Sequence, residues 1–243
     1  MAAPSPRTLT WIGPNDPLPD PSRALREPNG LLAAGADLSA ARLLEAYRHG
    51  VYPWYTEGQP VLWWSPDPRM VLHLDEFRTS RSLRQTMRRA RRERRWRLSL
   101  DACFERTLHE CARPRDGRGG TWITPDIAAA YGDLHRIGAA HSVEVWQDDR
   151  LVGGLYGVSI GRMFFGESMF TRVPDASKVA LAALVQLLRD NGFRVIDCQQ
   201  DTRHLASLGA RVIPRASFLR QLAELVRQPG PDWRASCIEL PDA

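Results

Sequence analysis

HSVEVWQDDRLVGGLYGVSIGRMFFGESMF, residues 141–170, is the stretch on which the fold turns. It holds three strand-like runs, HSVEVWQ (141–147), LVGGLYGVSI (151–160) and RMFFGESMF (162–170), separated by turns at Asp148-Asp149 and Gly161. Long runs joined by such short turns pair with their neighbours, so the segment predicts a three-stranded antiparallel meander. Downstream, a helix is expected over 175–190. It has Val179, Leu181, Leu184, Val185 and Leu188 inward and Gly192 at its end. FRVIDCQ (193–199) follows as a buried strand. Upstream, RMVLHL (69–74) and WRLSL (96–100) read as strands flanking a basic helix over 79–93. Helices are expected over 101–112, 125–137, 203–208 and 215–227. The whole is α+β.

Residues 1–30, rich in proline and asparagine, read as an irregular lead-in. Ser39 has the place of an N-cap, with Leu43, Leu44 and Tyr47 on one helix face and Gly50 as the stop. In VYPWYTEGQPVLWWSPDP (51–68), the prolines among Trp54, Trp63 and Trp64 rule out a regular helix. Residues 1–67 are expected to form a small N-terminal domain and 68–243 a larger one. A meander, a helix and then a strand that leaves an opening is the pattern of a GCN5-related (GNAT-like) acyltransferase. Many α+β folds share that periodicity, so the pattern alone does not establish it.

Composition bounds the function. No stretch of the chain approaches the ~20 apolar residues of a spanning helix, and the N-terminus lacks a basic start and an apolar core. A soluble, cytoplasmic protein is expected. Cys103, Cys111, Cys198 and Cys237 form no C-x-x-C pair, so neither a metal site nor a disulfide framework is expected. The net charge is +5, but residues 78–97 hold ten arginines against one acid, Glu93. A basic surface concentrated in this way points to nucleic acid.

Several residues are candidates for chemistry. In VIDCQ, alternation puts Asp197 and Gln199 on one face, suited to proton handling and substrate orientation; a strand-end cap for the next helix is the alternative. Glu167 interrupts an aromatic strand and must be paired or lie at a cleft, since burying it unpaired costs several kcal/mol, roughly. Gly153, Gly154 and Gly157 lie within a strand with no helix after them, so a dinucleotide loop is rejected in favour of close approach by a ligand or another backbone. Trp54, Trp63, Trp64 and Trp122 offer stacking faces for RNA bases or packing at a domain interface. Arg81, Arg84, Arg88, Arg89, Arg91 and Arg92 offer cations for phosphates or a solvated helix face. His141 and His204 have no nucleophile partner in a recognisable motif and are read as structural.

LREPNGLLA, ADLS with RLLEAYRHGVYPW, LWWSPDPR, SRSLR, TWIT, AY–LH–GAAHSVEVW, LVGGLYGV, FFGESMF, ASKVAL, IDCQ and HLASLGA, in this order from Leu25 to Phe218, resemble the leucyl/phenylalanyl-tRNA–protein transferases. Each motif is weak; the ordered set is specific. The resemblance implies a small N-terminal domain on a GCN5-related acyltransferase-like domain. It also implies transfer of Leu or Phe, less readily Met, from aminoacyl-tRNA to proteins beginning with Arg or Lys, marking them for N-end rule degradation. Asp197 and Gln199 would form the reaction centre, with Glu167 nearby. Leu155, Phe164, Leu184, Leu188 and Ile196 would line the aminoacyl side-chain pocket. Trp54 and Trp122 would hold the tRNA 3′ end, with Arg81, Arg84, Arg88 and Arg89 on its phosphates. The ester is already activated, so no cofactor, metal or covalent nucleophile is expected, and a monomer suffices.

The chain departs from the family pattern in three places. Gly35-Ala36-Asp37 stands for the usual Gly-Gly-Asp, and Leu18-Pro19 for an aromatic-proline start. Leu184 and Leu188 stand where some relatives carry larger aromatics. Two rivals remain on the residues alone. An acetyl-CoA-dependent N-acetyltransferase would want a glycine-rich loop where TRVPDASKVAL has none. A non-catalytic RNA-binding module would leave Glu167, Asp197 and Gln199 without a role.

Overall fold

The computed structural model describes residues 8–113 and 121–241, so the first seven residues of the expected lead-in lie outside it. The N-terminal part builds a four-stranded sheet from β1 (Thr10–Ile12), β2 (Leu31–Gly35), β3 (Tyr52–Pro53) and β4 (Leu62–Trp64), in the order β1-β2-β4-β3. Helix α1 (Ala40–Arg48) lies between β2 and β3. Ser39 caps α1, its Oγ accepting from the Arg42 amide at 3.3 Å, and Gly50 follows with φ +72. The lead-in is less irregular than its composition suggests: β1 forms because it pairs in parallel with β2, from Thr10↔Ala33 to Ile12↔Gly35.

The larger part comprises β5 (Arg69–His73), α2 (Arg81–Arg92), β6 (Arg97–Leu100), α3 (Phe104–Ala112), α4 (Pro125–Arg136), β7 (Ala140–Gln147), β8 (Arg150–Ile160), β9 (Met163–Thr171) and α5 (Ala176–Asp190). It ends with β10 (Val195–Gln199), α6 (Arg203–Ser207), β11 (Arg211–Ile213) and α7 (Arg215–Leu225). The sheet order is β11-β5-β10-β9-β8-β7-β6. The expected meander is β7-β8-β9, antiparallel throughout, and α5 carries the chain to β10, which runs parallel to β9. This is the α+β arrangement expected of a GCN5-related acyltransferase-like domain.

Strand alternation divides the core into two clusters, one on each face of this sheet. Val71, Met163, Phe165, Val195 and Tyr156 face α3, α4, α7 and the N-terminal layer. Met70, Leu72, Phe164, Ile196 and Leu155 face α5 and α2. The glycines of β8 allow close packing. A Cβ on Gly153 would lie 2.5 Å from the Ala176 Cβ at the start of α5, and one on Gly157 would lie 2.3 Å from the Phe165 carbonyl oxygen. The close approach expected there is therefore by other parts of the chain.

The two sheets share one core. Arg69, at the start of β5, donates to the Gly50 carbonyl (3.1 Å). Its guanidinium lies over the rings of Tyr52 (4.8 Å) and of Phe218 on α7 (4.6 Å).

Candidate active site

β9 and β10 pair only at Ile196↔Phe164 and Asp197↔Phe165. Beyond that point each strand is irregular. In β9 the register against β8 slips between Gly166 and Ser168, leaving Glu167 as the extra residue opposite Tyr156. In β10 the register against β5 slips between Asp197 and Gln199, leaving Cys198 as the extra residue. Bulges end pairing and re-aim side chains, and here they turn Glu167 and Gln199 toward each other. Gln199 adopts φ +57, a left-handed conformation that non-glycine residues enter only when the surroundings impose it. Its amide donates to Asp197 Oδ1 (3.0 Å) and its Nε2 to Glu167 Oε1 (3.1 Å). The three expected reaction-centre residues are therefore in one bonded chain.

Their environments differ. Asp197 is fully buried. Arg69 Nε donates to its Oδ1 at 2.8 Å and Arg69 Nη2 to its Oδ2 at 2.5 Å. With both oxygens in a bidentate bond to a buried guanidinium, Asp197 is an anchor, and no open lone pair faces a cleft. Glu167 is only partly buried. Tyr47 Oη donates to its Oε1 (2.7 Å) and Tyr131 Oη to its Oε2 (3.0 Å), while the two phenol oxygens also touch each other. Burial is the main reason its pKa rises to about 7; the Tyr47 and Tyr131 hydroxyls oppose the rise, and the Asp197 charge adds to it.

Counting protons leads to the same result. A phenol carries one hydrogen, so the three contacts among Tyr47, Tyr131 and Glu167 share two hydrogens when Glu167 is ionised. A third proton on Glu167 completes the ring. Glu167 thus gains or loses a proton near neutrality with bonded partners in both states.

Tyr47 on α1, Tyr131 on α4 and Arg69 on β5 carried no role in the sequence reading, although they lie within the AYRHG, AY and SPDPR segments. An arginine opening an apolar strand and a tyrosine on an apolar helix face were the available signals.

The expected side-chain pocket residues, Leu155, Phe164, Leu184, Leu188 and Ile196, fall in one buried cluster on the α5 face, opposite Glu167. Met169 packs partly buried against the same cluster. Among the tryptophans, Trp63 is buried with its Nε1 donating to the Gly35 carbonyl (2.9 Å), and Trp64 Nε1 donates to the Trp54 carbonyl (2.6 Å). Both serve packing. Trp54 is 37% exposed, and Trp122 is partly buried against the core. Arg81, Arg84 and Arg88 lie on the exposed outer face of α2, while Arg89 pairs with Glu93 at 3.0 Å. The inner face of α2 buries Leu83, Met87 and Ala90. His141 is buried, with Nδ1 2.7 Å from Asp101 Oδ2 and Nε2 3.1 Å from the Gly138 carbonyl oxygen, away from Glu167.

Among the described residues, no helix is long and apolar enough to cross a membrane.

Comparison with known proteins places this arrangement. The leucyl/phenylalanyl-tRNA protein transferase family model matches residues 71–223, and the model of that family's N-terminal domain matches residues 36–67. A leucyl/phenylalanyl-tRNA–protein transferase of Bordetella petrii is 55% identical over 236 residues, covering 95% of this chain and 93% of the relative. One of Burkholderia pseudomallei is 55% identical over 230 residues, covering 93% and 90%. A solved structure, L-PGS from Bacillus licheniformis, is similar with a TM-score of 0.40 and 13% identity, covering 68% of this chain and 54% of that one. The chain belongs to the leucyl/phenylalanyl-tRNA–protein transferase family, and it is an enzyme, an aminoacyltransferase.

Proposed function

We propose that the protein moves Leu or Phe, and less readily Met, from aminoacyl-tRNA to the N-terminal α-amine of proteins beginning with Arg or Lys. It would act in the cytoplasm as a cofactor-free monomer that marks proteins for N-end rule degradation, with a small domain over 1–67 and the transferase domain over 68–243. One observation carries the mechanism: Glu167, a partly exposed carboxyl bonded to Tyr47, Tyr131 and Gln199 where β9 and β10 stop pairing, with its pKa raised by burial to about 7.

The attacking α-amine, with a pKa near ~8, is partly neutral at physiological pH. Its nitrogen forms a bond to the ester carbonyl carbon. Glu167 takes the proton that the nitrogen releases and passes it to the ribose oxygen as the carbon–oxygen bond breaks. Tyr47 and Tyr131 stabilise the carboxylate while it waits. Gln199 orients Glu167, and Asp197, locked by Arg69, fixes the backbone of Gln199. This division assigns the proton to Glu167 and a positioning role to Asp197, because Asp197 is fully buried with both oxygens on Arg69, whereas Glu167 is partly exposed and burial raises its pKa to about 7. The aminoacyl side chain enters the Leu155–Phe164–Leu184–Leu188–Ile196 cluster, Trp54 and Trp122 hold the 3′ end, and Arg81, Arg84, Arg88 and Arg89 meet phosphates.

The test is transfer of labelled leucine from Leu-tRNA to an Arg-starting peptide without ATP or CoA. Transfer is expected. RNA binding without transfer would overturn the reading.

A further inference from the structure

Past α7 the described chain, from Val226 to Pro241, has neither helix nor strand, yet it is tied to the large sheet and its α5 face. At one end the Arg162 amide, in the turn between β8 and β9, donates to the Leu225 carbonyl (2.9 Å). At the other, Arg91 Nη2 on α2 donates to the Leu240 carbonyl (2.7 Å). Between these ties Asp232 Oδ1 accepts from the Arg234 amide (3.0 Å) and the Ala235 amide (3.3 Å). An aspartate bonded to the amides just beyond it sets a turn, and this one carries Trp233. Trp233, half-buried, packs with Ile238 and Leu240 against the apolar cluster on the α5 face. Its ring stacks on His141 (centroids 4.1 Å apart, planes 13° apart) and meets the Phe164 ring at 6.0 Å and 43°. His141 is a fixed floor, since Asp101 and the Gly138 carbonyl hold its two ring nitrogens.

Strand register shows on which side of Phe164 the tryptophan stands. Phe164 on β9 pairs with Ile196 on β10 to one side. To the other side, β8 sets Gly157 opposite His141 on β7. The Phe164 ring leans across Gly157, where a Cβ would lie 2.5 Å from its Cε1. It thus leans away from Ile196 and toward His141, and Trp233 stands there. The slot residues Leu155, Phe164, Leu184, Leu188 and Ile196 are all buried, so a side chain entering among them has to push a wall aside. Leu184 and Leu188 sit on a helix and Leu155 and Ile196 on bonded strands. Phe164 can yield without moving backbone, by turning its ring toward β7, and Trp233 limits that turn. We propose that Trp233 is a positioning residue for the donor: by backing Phe164 it limits the bulk of the aminoacyl side chain that the slot admits, and so favours Leu over Phe. The proposal rests on the slot reading above and adds a residue to it.

The test compares the wild-type enzyme with Trp233→Ala, Trp233→Phe and Leu184→Ala. Transfer to an Arg-starting peptide is followed with Leu-tRNA and with Phe-tRNA. The ratio of the two kcat/KM values is the readout, so a loss common to both donors, as from weaker folding or tRNA binding, cancels. In Trp233→Ala the Phe-to-Leu ratio should rise about tenfold, the lower end of what an apolar slot exerts for one methylene. Trp233→Phe keeps a ring beside Phe164 and should keep most of the wild-type ratio. Leu184→Ala enlarges the slot directly and should raise the ratio as well. An unchanged or lowered ratio in Trp233→Ala, beside a raised one in Leu184→Ala, would overturn the role of Trp233. An unchanged ratio in both would sink the slot reading itself, and a wild type that transfers from neither tRNA would sink the functional reading.

Discussion

Glu167→Gln separates the titrating carboxyl from its hydrogen-bonding shape. The side chain keeps its size and loses its charge. In the folded protein the carboxyl pKa is about 7, raised chiefly by burial from an ordinary value of 4.5. Because the folded pKa is the higher one, the folded state holds the proton more tightly. The resulting stabilisation is full below pH 4.5 and is lost as pH rises through about 7. At ~1.4 kcal/mol per pH unit the full effect is about 3 kcal/mol, and solvent around a partly exposed carboxyl reduces it to about 2 kcal/mol. Glutamine has no such pH dependence. Its amide accepts one of the tyrosine hydroxyls less well, a pH-independent cost of about 1 kcal/mol. Relative to wild type, Glu167→Gln should therefore gain about 2 kcal/mol between pH 5 and pH 8, a relative rise in Tm of roughly 4–8 °C for a chain of this size. Urea unfolding at the two pH values measures this directly. Turnover should fall by about 10²–10⁴-fold, and the limb of kcat/KM near pH 7 should vanish, leaving that of the substrate amine. An identical stability difference at both pH values would refute the assignment of the raised pKa. A variant that kept the wild-type limb would refute the assignment of the proton transfer.

Three further changes probe the surroundings of that carboxyl. Tyr131→Phe removes a hydroxyl that lowers the Glu167 pKa, so the limb of kcat/KM should move above pH 7; a limb that moves down contradicts the hydrogen-bond pattern. Asp197→Ala leaves the buried Arg69 guanidinium without its bidentate partner, which should cost about 3–5 kcal/mol in urea unfolding. It should also depress turnover far more than tRNA affinity, and near-normal turnover would remove Asp197 from the site. Ala36 has φ +61, a left-handed conformation that favours glycine, so Ala36→Gly should stabilise by about 0.5–1 kcal/mol with activity unchanged; a loss of stability in calorimetry would count against strain at that turn.

Local pattern carried the elements and one side of the site, while contact across the chain carried the rest. The meander and α5 were legible because their patterns run long, and β10, only five residues with a bulge near its end, because its apolar start follows the helix stop at Gly192. β1 and β11 have three residues each and exist only through partners, β2 and β5. Alternation placed Asp197 and Gln199 on one face, and this holds because the bulge at Cys198 falls between them without exchanging their sides. The shell around Glu167 was not legible. Tyr47 and Tyr131 stand 120 and 36 residues away from it, and Arg69 stands 128 residues away from Asp197. No periodicity links positions so far apart; only the packing of α1 and α4 onto β9 brings the phenols together. The same limit applied to Asp197. An acid two residues from an amide looks like a proton acceptor until the guanidinium that occupies both its oxygens is known.

The arrangement also accounts for how selectivity and proton transfer stay independent on the proposed reading. The apolar cluster of Phe164, Leu184, Leu188 and Ile196 lies on the α5 face, and Glu167 with its tyrosines lies on the other. A sheet is a barrier between such sites, since its strands are bonded at ~4.8 Å spacing. β9 and β10 stop pairing after Phe165 and Asp197, and on the proposed reading it is there that a group on one face meets a group on the other. An aminoacyl ester whose side chain is held on the α5 face then presents its carbonyl where the pairing ends, and an amine from the opposite face meets it beside Glu167. Substitutions at Leu184 or Leu188 reshape the slot without touching the carboxyl. Their effect is confined to the ~1–3 kcal/mol that an apolar pocket can exert on the choice of side chain. On the proposed reading, the bulges at Glu167 and Cys198, where β9 and β10 cease to pair, rather than the regular pairing of the sheet, let the two halves of the reaction meet.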